Sequence, residues 1–333
     1  MGGIEKMIIT RTPFRISFVG GGTDFEDYYK INGGQVASVT IDKYVYITVN
    51  HKFDNKIHLR YSKTECVEHV DKLEHNIVRE ALKLVGIDKG IEITIISDIP
   101  TQGTGLGGSS ALAVGVIKAL YKYRGAEITS AQAAYAACHI EIERLESPIG
   151  RQDQYAAAYG GFNTINFHGK NQVNVNNLKD KKIKKERIEW LQNSTMLFYL
   201  NGRCANEILS HHKNNIGEKI KILNMQKMLV PLFVPWLYGK TNNEYVGELV
   251  TQSWELKKIM TPMATSSKID GLIDSVKSVG AYGAKLCGAG GGGFLMVICD
   301  ENKQQMVRDV LKGFALELHF KFEDEGSKVI YGS

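Results

Sequence analysis

The segment Pro100-Thr-Gln-Gly103-Thr104-Gly105-Leu106-Gly107-Gly108-Ser109-Ser110-Ala111 has the make-up of a loop that holds an anion. Its glycines let backbone N–H groups approach a charged ligand closely. A helix expected to begin near Gly108 adds unpaired amides and a favourable dipole. The two hydroxyls at that helix start can bond a phosphate or reach Mg²⁺, which prefers hard oxygen ligands. A lone GxG is most simply a turn. Gly103, Gly105, Gly107 and Gly108 followed by Ser-Ser-Ala, between a strand and a helix, favour phosphate. The loop lacks the GxxxxGK[ST] pattern, and no HRD or DFG segment accompanies it, so a Walker-type site and a protein kinase are both excluded.

Three further segments carry chemistry. In Arg11-Thr-Pro13-Phe-Arg15-Ile-Ser-Phe-Val-Gly20-Gly21-Gly22-Thr23-Asp24, a strand leads Arg15 towards a glycine turn ending in Thr-Asp. Arg15 is a fixed cation suited to developing phosphoryl charge, and Asp24 an acceptor suited to sugar hydroxyls. A hairpin turn with a surface ion pair is the plain alternative. Glu141-Ile-Glu143-Arg144 and Gly150-Arg151-Gln152-Asp153-Gln154 place Glu143 at the end of an amphipathic helix and Asp153 at the start of another. A carboxylate there can accept a proton from an attacking hydroxyl or orient it, and Glu143 can share a metal. Each of these carboxylates alone would read as a solvated helix face. Gly283-Ala-Lys285-Leu-Cys-Gly288-Ala-Gly290-Gly291-Gly292-Gly293-Phe294 is either a very tight turn or a place where backbone approaches a ligand.

The elements that must position these residues follow from pattern. Strands are expected over 8–11, 15–19, 36–41, 44–50, 56–61 and 91–97, all rich in β-branched and aromatic residues. A helix is expected from Asp71 to Val85, with Gly86 as its C-cap. Others are expected over 108–124, from an N-cap at Thr129-Ser130 to Leu145, and over 152–159. After a strand at 162–167, the polar stretch Gly169–Glu186 reads as a linker. Beyond it come a strand at 196–200, helices over 205–227, 245–260, 269–279 and 301–314, and strands at 284–287, 294–299, 318–322 and 328–331. Strands mixed with helices, without strict βαβ alternation, give an α+β architecture in two halves, 1–172 and 187–333.

Composition narrows the function classes. The chain has 333 residues, five cysteines without a CxxC pair, and a net charge of +5. On that spacing neither a disulfide framework nor a zinc site is expected. The basic tract Lys179–Arg187 lacks interleaved aromatics, so it reads as a solvated connector and no nucleic-acid partner is expected. No apolar run approaches the ~20 residues of a membrane span, and Met1–Thr10 lacks a secretory pattern. A cytoplasmic protein with no membrane partner is expected. The sequence leaves the oligomeric state open, with a homodimer as one option.

These segments occur in the same order in the GHMP kinase superfamily. The loop resembles its P-x-x-x-G-L-G-S-S-A signature, with one extra residue, so that Gly108 precedes Ser109-Ser110. The last segment is similar to the superfamily's C-terminal glycine motif. The resemblance spans nearly the whole chain. It implies a ribosomal-S5-like α/β half, a ferredoxin-like α+β half and an active site in the cleft between them. It implies ATP and Mg²⁺, with Pro100 and Gly103 to Ser110 around the nucleotide phosphates and Ser109 or Ser110 with Glu143 on the metal. Asp153 would be the catalytic carboxylate and Arg15 the catalytic arginine. Gly22, Thr23, Asp24, Gly290 and Gly291 would meet the acceptor. Where galactokinases read Gly-Glu-His-Thr-Asp this chain reads Gly-Gly-Gly-Thr-Asp, which argues against galactose. RTPFRISFVGGGTDF, GQVASVTIDKYVYITV and GLGGSSALAVG are most similar to the D-glycero-D-manno-heptose 7-phosphate kinases, which make the 1,7-bisphosphate on the route to activated heptose for capsule or surface glycans. The fucokinase branch is the neighbouring option. A non-catalytic sugar or nucleotide sensor would be expected to lose the carboxylates that stand here at 143 and 153. The acceptor's own phosphate would need a cation; Arg203 is the first candidate, with Lys43, Arg60 and Arg151 behind it.

Overall fold

Pro13 does not end the first strand. In the structure, a computed structural model that describes residues 7–169, 172–178, 183–200, 210 and 220–332, the two runs expected on either side of it form one strand, β1 (Ile8–Val19). Proline removes a ladder donor, and the register with the next strand shifts between Pro13 and Phe14 to accommodate it. The helix α1 (Glu26–Asn32) stops at Gly33, whose φ of 66° suits only glycine without strain. Then β2 (Gly34–His51) fuses two further expected strands. Its alternating Val, Ile and Thr pack along the full length of β1.

The strands β3 (Ile57–Arg60) and β4 (Thr64–Val67) lead to α2 (Asn76–Val85). This helix was expected to start at Asp71. The Glu65 carboxylate instead accepts hydrogen bonds from the Glu74 and His75 amides, at 2.6 and 3.2 Å, and holds that turn away from helical geometry. Gly86 closes the helix in the left-handed region, as expected. Next come β5 (Ile91–Ser97), α3 (Gly108–Tyr123), α4 (Ser130–Cys138) with a Thr129 capping box, a π-helical turn (His139–Arg144), α5 (Gln152–Tyr159) and β6 (Phe162–His168). The expected linker contains an edge strand, β7 (Gln172–Asn177), in which Val173 and Val175 pack inward while asparagines face out. α6 (Lys185–Ser194) starts at the linker's end.

The second half builds β8 (Thr195–Tyr199), α7 (Ile220–Leu237), α8 (Glu244–Met260), α9 (Ser267–Ser278), β9 (Gly283–Leu286), β10 (Phe294–Ile298), α10 (Gln304–Leu311) and β11 (Leu316–Leu318). Most of the helix expected over 205–227 lies outside the described residues. α7 runs past Lys227 and through Pro231 and Pro235, because Leu229, Val230, Phe233 and Trp236 are buried and packing outweighs the two missing amides. Four antiparallel strands in the order β11-β8-β10-β9 form the smaller sheet. The chain then returns: β12 (Phe322–Glu323) pairs with β2 and β13 (Lys328–Tyr331) with β1. The last strands of the 187–333 half are therefore part of the first half's nine-stranded sheet, and the halves are stitched at both ends. No described helix is long and apolar enough to cross a membrane.

Candidate active site

The loop between β5 and α3 is held by backbone that only glycine permits. Gly103, Gly105 and Gly107 sit at φ of 72°, 77° and 76°. The extra Gly108 is explained by space: a Cβ there would lie 2.3 Å from the Thr101 carbonyl oxygen and 2.7 Å from the Phe14 ring. The loop is fixed from both halves. The Arg15 amide donates to Leu106 O and the Phe294 amide to Thr104 O, each at 3.0 Å. Of the residues expected on the nucleotide, Gly103, Thr104, Gly105, Gly107, Gly108 and Ser109 line a cleft of about 330 Å³. Pro100 is exposed outside it, Leu106 is core, and Ser110 is buried behind it. The first amides of α3 have no intrahelical acceptor and face this loop, the arrangement that binds phosphate.

The carboxylate that meets the serines is Glu141, and Glu143 is corrected to the outside. Ser109 Oγ donates to Glu141 Oε1 at 2.9 Å, while Ser110 Oγ and Gln154 Nε2 each donate to Oε2 at 2.7 Å. Glu143 is 43% exposed; it lies 2.6 Å from His139 Nδ1 and 3.8 Å from an Arg151 guanidinium nitrogen. The cause is the π-helical turn, which widens the helix at 139–144 and shifts the inward position. Burial pushes the Glu141 carboxyl up to about 7, although three donors favour its charged form. Two hydroxyls and one buried carboxylate are hard oxygen donors of the kind Mg²⁺ accepts. Among the described residues no group of three or more His, Cys, Asp or Glu is placed to hold a metal ion. The donor set therefore suits a hydrated ion shared with phosphates and not a full protein cage.

Arg15 and Asp153 form one unit. Arg15 Nε donates to Asp153 Oδ1 at 2.7 Å, and a terminal guanidinium nitrogen lies 2.7 Å from the same oxygen. The other terminal nitrogen donates to Gly105 O at 2.7 Å. Arg15 is 3% exposed and Asp153 is half-buried in the cleft, in the first turn of α5. Asp24 lies beside them. Its oxygens accept from the Gly22 amide at 3.0 Å and the Gln152 amide at 3.2 Å. Burial first, and the Asp153 charge second, raise its carboxyl above the ordinary range. Gly150 is required by this contact, since a Cβ there would fall 2.0 Å from Asp24 Oδ2. Thr23 is displaced from the expected acceptor set: its buried hydroxyl shares its one proton between Gly20 O and Gln35 O, accepts from the Gln35 amide, and holds the turn.

The opposite wall comes from the second half; the sequence points to its glycine motif but not to its residues on α7 and α8. Gln226 of α7, Ser253 and Lys257 of α8, Lys285, Gly288 and Ala289 line the cleft. Gly290 and Gly291 do not reach it. Gly290 packs against Ala264, and the Gly291 amide donates to Ala264 O. The cations proposed for an acceptor phosphate are elsewhere: Lys43 pairs with Asp42, Arg60 with Glu92, and buried Arg151 with Glu26. Arg203 lies outside the described residues. The one signal that could have found this wall was Lys285, inside the glycine motif. A second groove of about 510 Å³ lies between Leu84, Tyr121, Ile128, Tyr135 and Val173, and no glycine loop lines it.

Residues 67–161 match the family model for the GHMP kinases N terminal domain, and residues 239–315 that for GHMP kinases C terminal. The chain is 31% identical to the D-glycero-alpha-D-manno-heptose 7-phosphate kinase of Campylobacter jejuni, over 97% of this chain and 98% of that one. It is 26% identical to the L-fucokinase/L-fucose-1-P guanylyltransferase of Bacteroides fragilis, over 92% of this chain and 36% of that longer protein. Among solved structures, a D-glycero-D-manno-heptose 1-phosphate kinase from Bacteroides thetaiotaomicron superposes with a TM-score of 0.79 at 24% identity, over 97% and 98% of the two chains.

Proposed function

The chain belongs to the GHMP kinase family and is a sugar kinase, and we propose that it transfers the γ-phosphoryl group of ATP to O1 of D-glycero-D-manno-heptose 7-phosphate. The product would be the 1,7-bisphosphate, a precursor of nucleotide-activated heptose for capsule or surface glycans. The observation that carries the reaction is the Arg15–Asp153 pair, held at 2.7 Å against the Gly105 turn of the loop. The acceptor rests on the near full-length similarity to the Campylobacter heptose 7-phosphate kinase. The fucokinase similarity makes an unphosphorylated sugar 1-kinase the second reading.

The chain's own residues then divide the work. Loop amides from Gly103 to Gly108 and the start of α3 bind the nucleotide phosphates. Ser109, Ser110 and Glu141 would hold Mg²⁺, which when bound supplies charge neutralisation on the phosphate oxygens. Asp153 accepts the proton of the attacking hydroxyl or orients it. An anomeric hydroxyl is more acidic than an ordinary alcohol, so the demand on this base is modest. Arg15 fixes Asp153 and the loop in one register, so that attack can run in line. Asp24 and the Gly22 turn face the acceptor's hydroxyls, which suits a carboxylate that keeps accepting capacity.

Coupled ADP release with Mg·ATP tests the reading against the heptose 7-phosphate, sedoheptulose 7-phosphate, L-fucose, galactose and mevalonate. Turnover confined to the aldoheptose phosphate is the expected result. Turnover on an unphosphorylated sugar would keep the kinase and replace the acceptor.

A further inference from the structure

The reacting group as placed above has few cations around it. The loop from Pro100 to Ala111 contains no lysine or arginine. Arg15 has already committed N–H groups on all three of its nitrogens, to Asp153 and to Gly105 O. Facing this point from the other half is Lys257 of α8. Its ammonium donates to Gly288 O at 2.7 Å and forms no ion pair with a carboxylate among the described residues. Gly288 lies against the phosphate loop, since a Cβ on it would be 2.6 Å from the Gly105 Cα. The Lys257 ammonium is therefore anchored beside the same turn that Arg15 grips. The charges that act on it are Asp24 from the turn after β1, Arg15 from β1 itself and Asp153 from α5. Lys285 of β9 is also nearby, but its ammonium is spent on tethering the halves, with donors to Ser17 O at 3.1 Å and Phe18 O at 2.9 Å.

A half-buried ammonium with one carbonyl partner and no carboxylate contact is poorly compensated by the protein alone. Burial accordingly pushes Lys257 down to about 8. An anion bound at that point would complete its donor set and hold its proton. We propose that Lys257 is a catalytic residue whose ammonium donates to a non-bridging oxygen of the phosphoryl group in transit, opposite Arg15. This rests on the placement of that group between the loop and Asp153 given under the proposed function. In the step, the acceptor oxygen bonds to phosphorus as the bond from phosphorus to the ADP oxygen breaks. The electron pair leaves on ADP and the acceptor's proton passes to Asp153. Lys257 exchanges no proton and offsets charge only. A cation that the phosphate loop itself lacks is thus supplied by the second half, so the site is complete only when both halves are in place.

The test compares full-length Lys257→Met and Lys257→Arg with Asp153→Asn, in steady-state kinetics with Mg·ATP and whichever acceptor the unaltered enzyme turns over. K257M should lower kcat on the order of 10²–10³-fold. Both KM values should stay within about threefold, and K257R should recover at least about tenfold of the loss. kcat/KM of the unaltered enzyme should fall as pH rises above about 8, where free Lys257 loses its proton, and K257M should show no such limb. Retention of kcat within about threefold by K257M while D153N is crippled would overturn the inference and leave the placement standing. So would a rise of more than about tenfold in acceptor KM at unchanged kcat, which would put Lys257 on the acceptor's own phosphate. Full activity of D153N would remove the placement and the inference with it. Thermal melts and binding of a non-hydrolysable ATP analogue check the fold. Should K257M fail to fold, an unaltered enzyme with no alkaline limb, together with a K257R as slow as D153N, overturns the proposal; the limb with a partly active K257R supports it.

Discussion

The two walls of the cleft are built by different means. The first-half wall presents backbone: glycines in the left-handed region, free amides at the start of α3, and two carboxylates fixed by amides and hydroxyls. The second-half wall presents side chains on helices and one strand, namely Gln226, Ser253, Lys257 and Lys285. Backbone sites demand particular residues at fixed spacing, because only glycine avoids a Cβ clash there. A side-chain wall can be assembled from residues far apart in sequence, each of which is unremarkable alone. On the proposed function the first wall holds the nucleotide, positions the base and meets the acceptor through Asp24, while the second adds charge through Lys257.

The largest effect should break the first wall. Asp153→Asn should cut kcat on the order of 10²–10⁴-fold if Asp153 takes the proton. A fall of less than about tenfold, from folded protein, would leave it an orienting group. The next pair sharpens the metal assignment. Glu141→Gln should lower activity at least about a hundredfold, whereas Glu143→Gln should stay within about threefold. Magnesium titrations of both variants check this, and equal losses would contradict the exchange of roles. A third change separates backbone from side chain. Gly105→Ala places a Cβ 2.3 Å from the Cys287 carbonyl at a φ of +77°. It should cost about 1–3 kcal/mol of stability in denaturant melts and raise the KM for ATP. Ser253→Ala on the facing wall, which removes the donor to Gln226 Oε1, should leave the ATP KM unchanged.

The effect least tied to turnover is a pH slope in the metal-free protein. Burial pushes the folded Glu141 carboxyl up to about 7, from the ordinary 4.5 it has in the unfolded chain. Between these values the native state binds more protons, so stability falls as pH rises, by on the order of 2–3 kcal/mol from this group. Melts between pH 4.5 and 7 in chelator should show that decline, and E141Q should flatten it.

The legible parts of the molecule are those where local geometry dictates residue type. Gly86 closes α2, Thr129 caps α4, and α5 spans 152–159 as expected. The turn between β5 and α3 and the turns before Asp24 and Asp153 are also legible, since glycines mark those element boundaries, whereas Arg15 lies inside β1, where nothing local points to its contact with Asp153. Glu141 was not, because the π-helical turn that rotates it inward leaves no periodicity signal in His139–Arg144. Nor was the path of α7 through Pro231 and Pro235, where tertiary burial overrides a local breaker. β7 was hidden by its asparagines, and the return of β12 and β13 to the first sheet is a pairing that no local pattern encodes.

The most direct test of the account is phosphorus NMR of the product formed from Mg·ATP and D-glycero-D-manno-heptose 7-phosphate. One new phosphate coupled to the anomeric proton, with the 7-phosphate retained, is the predicted result. A new phosphate coupled to any other sugar proton, or ADP formed without a phosphorylated sugar, would contradict it.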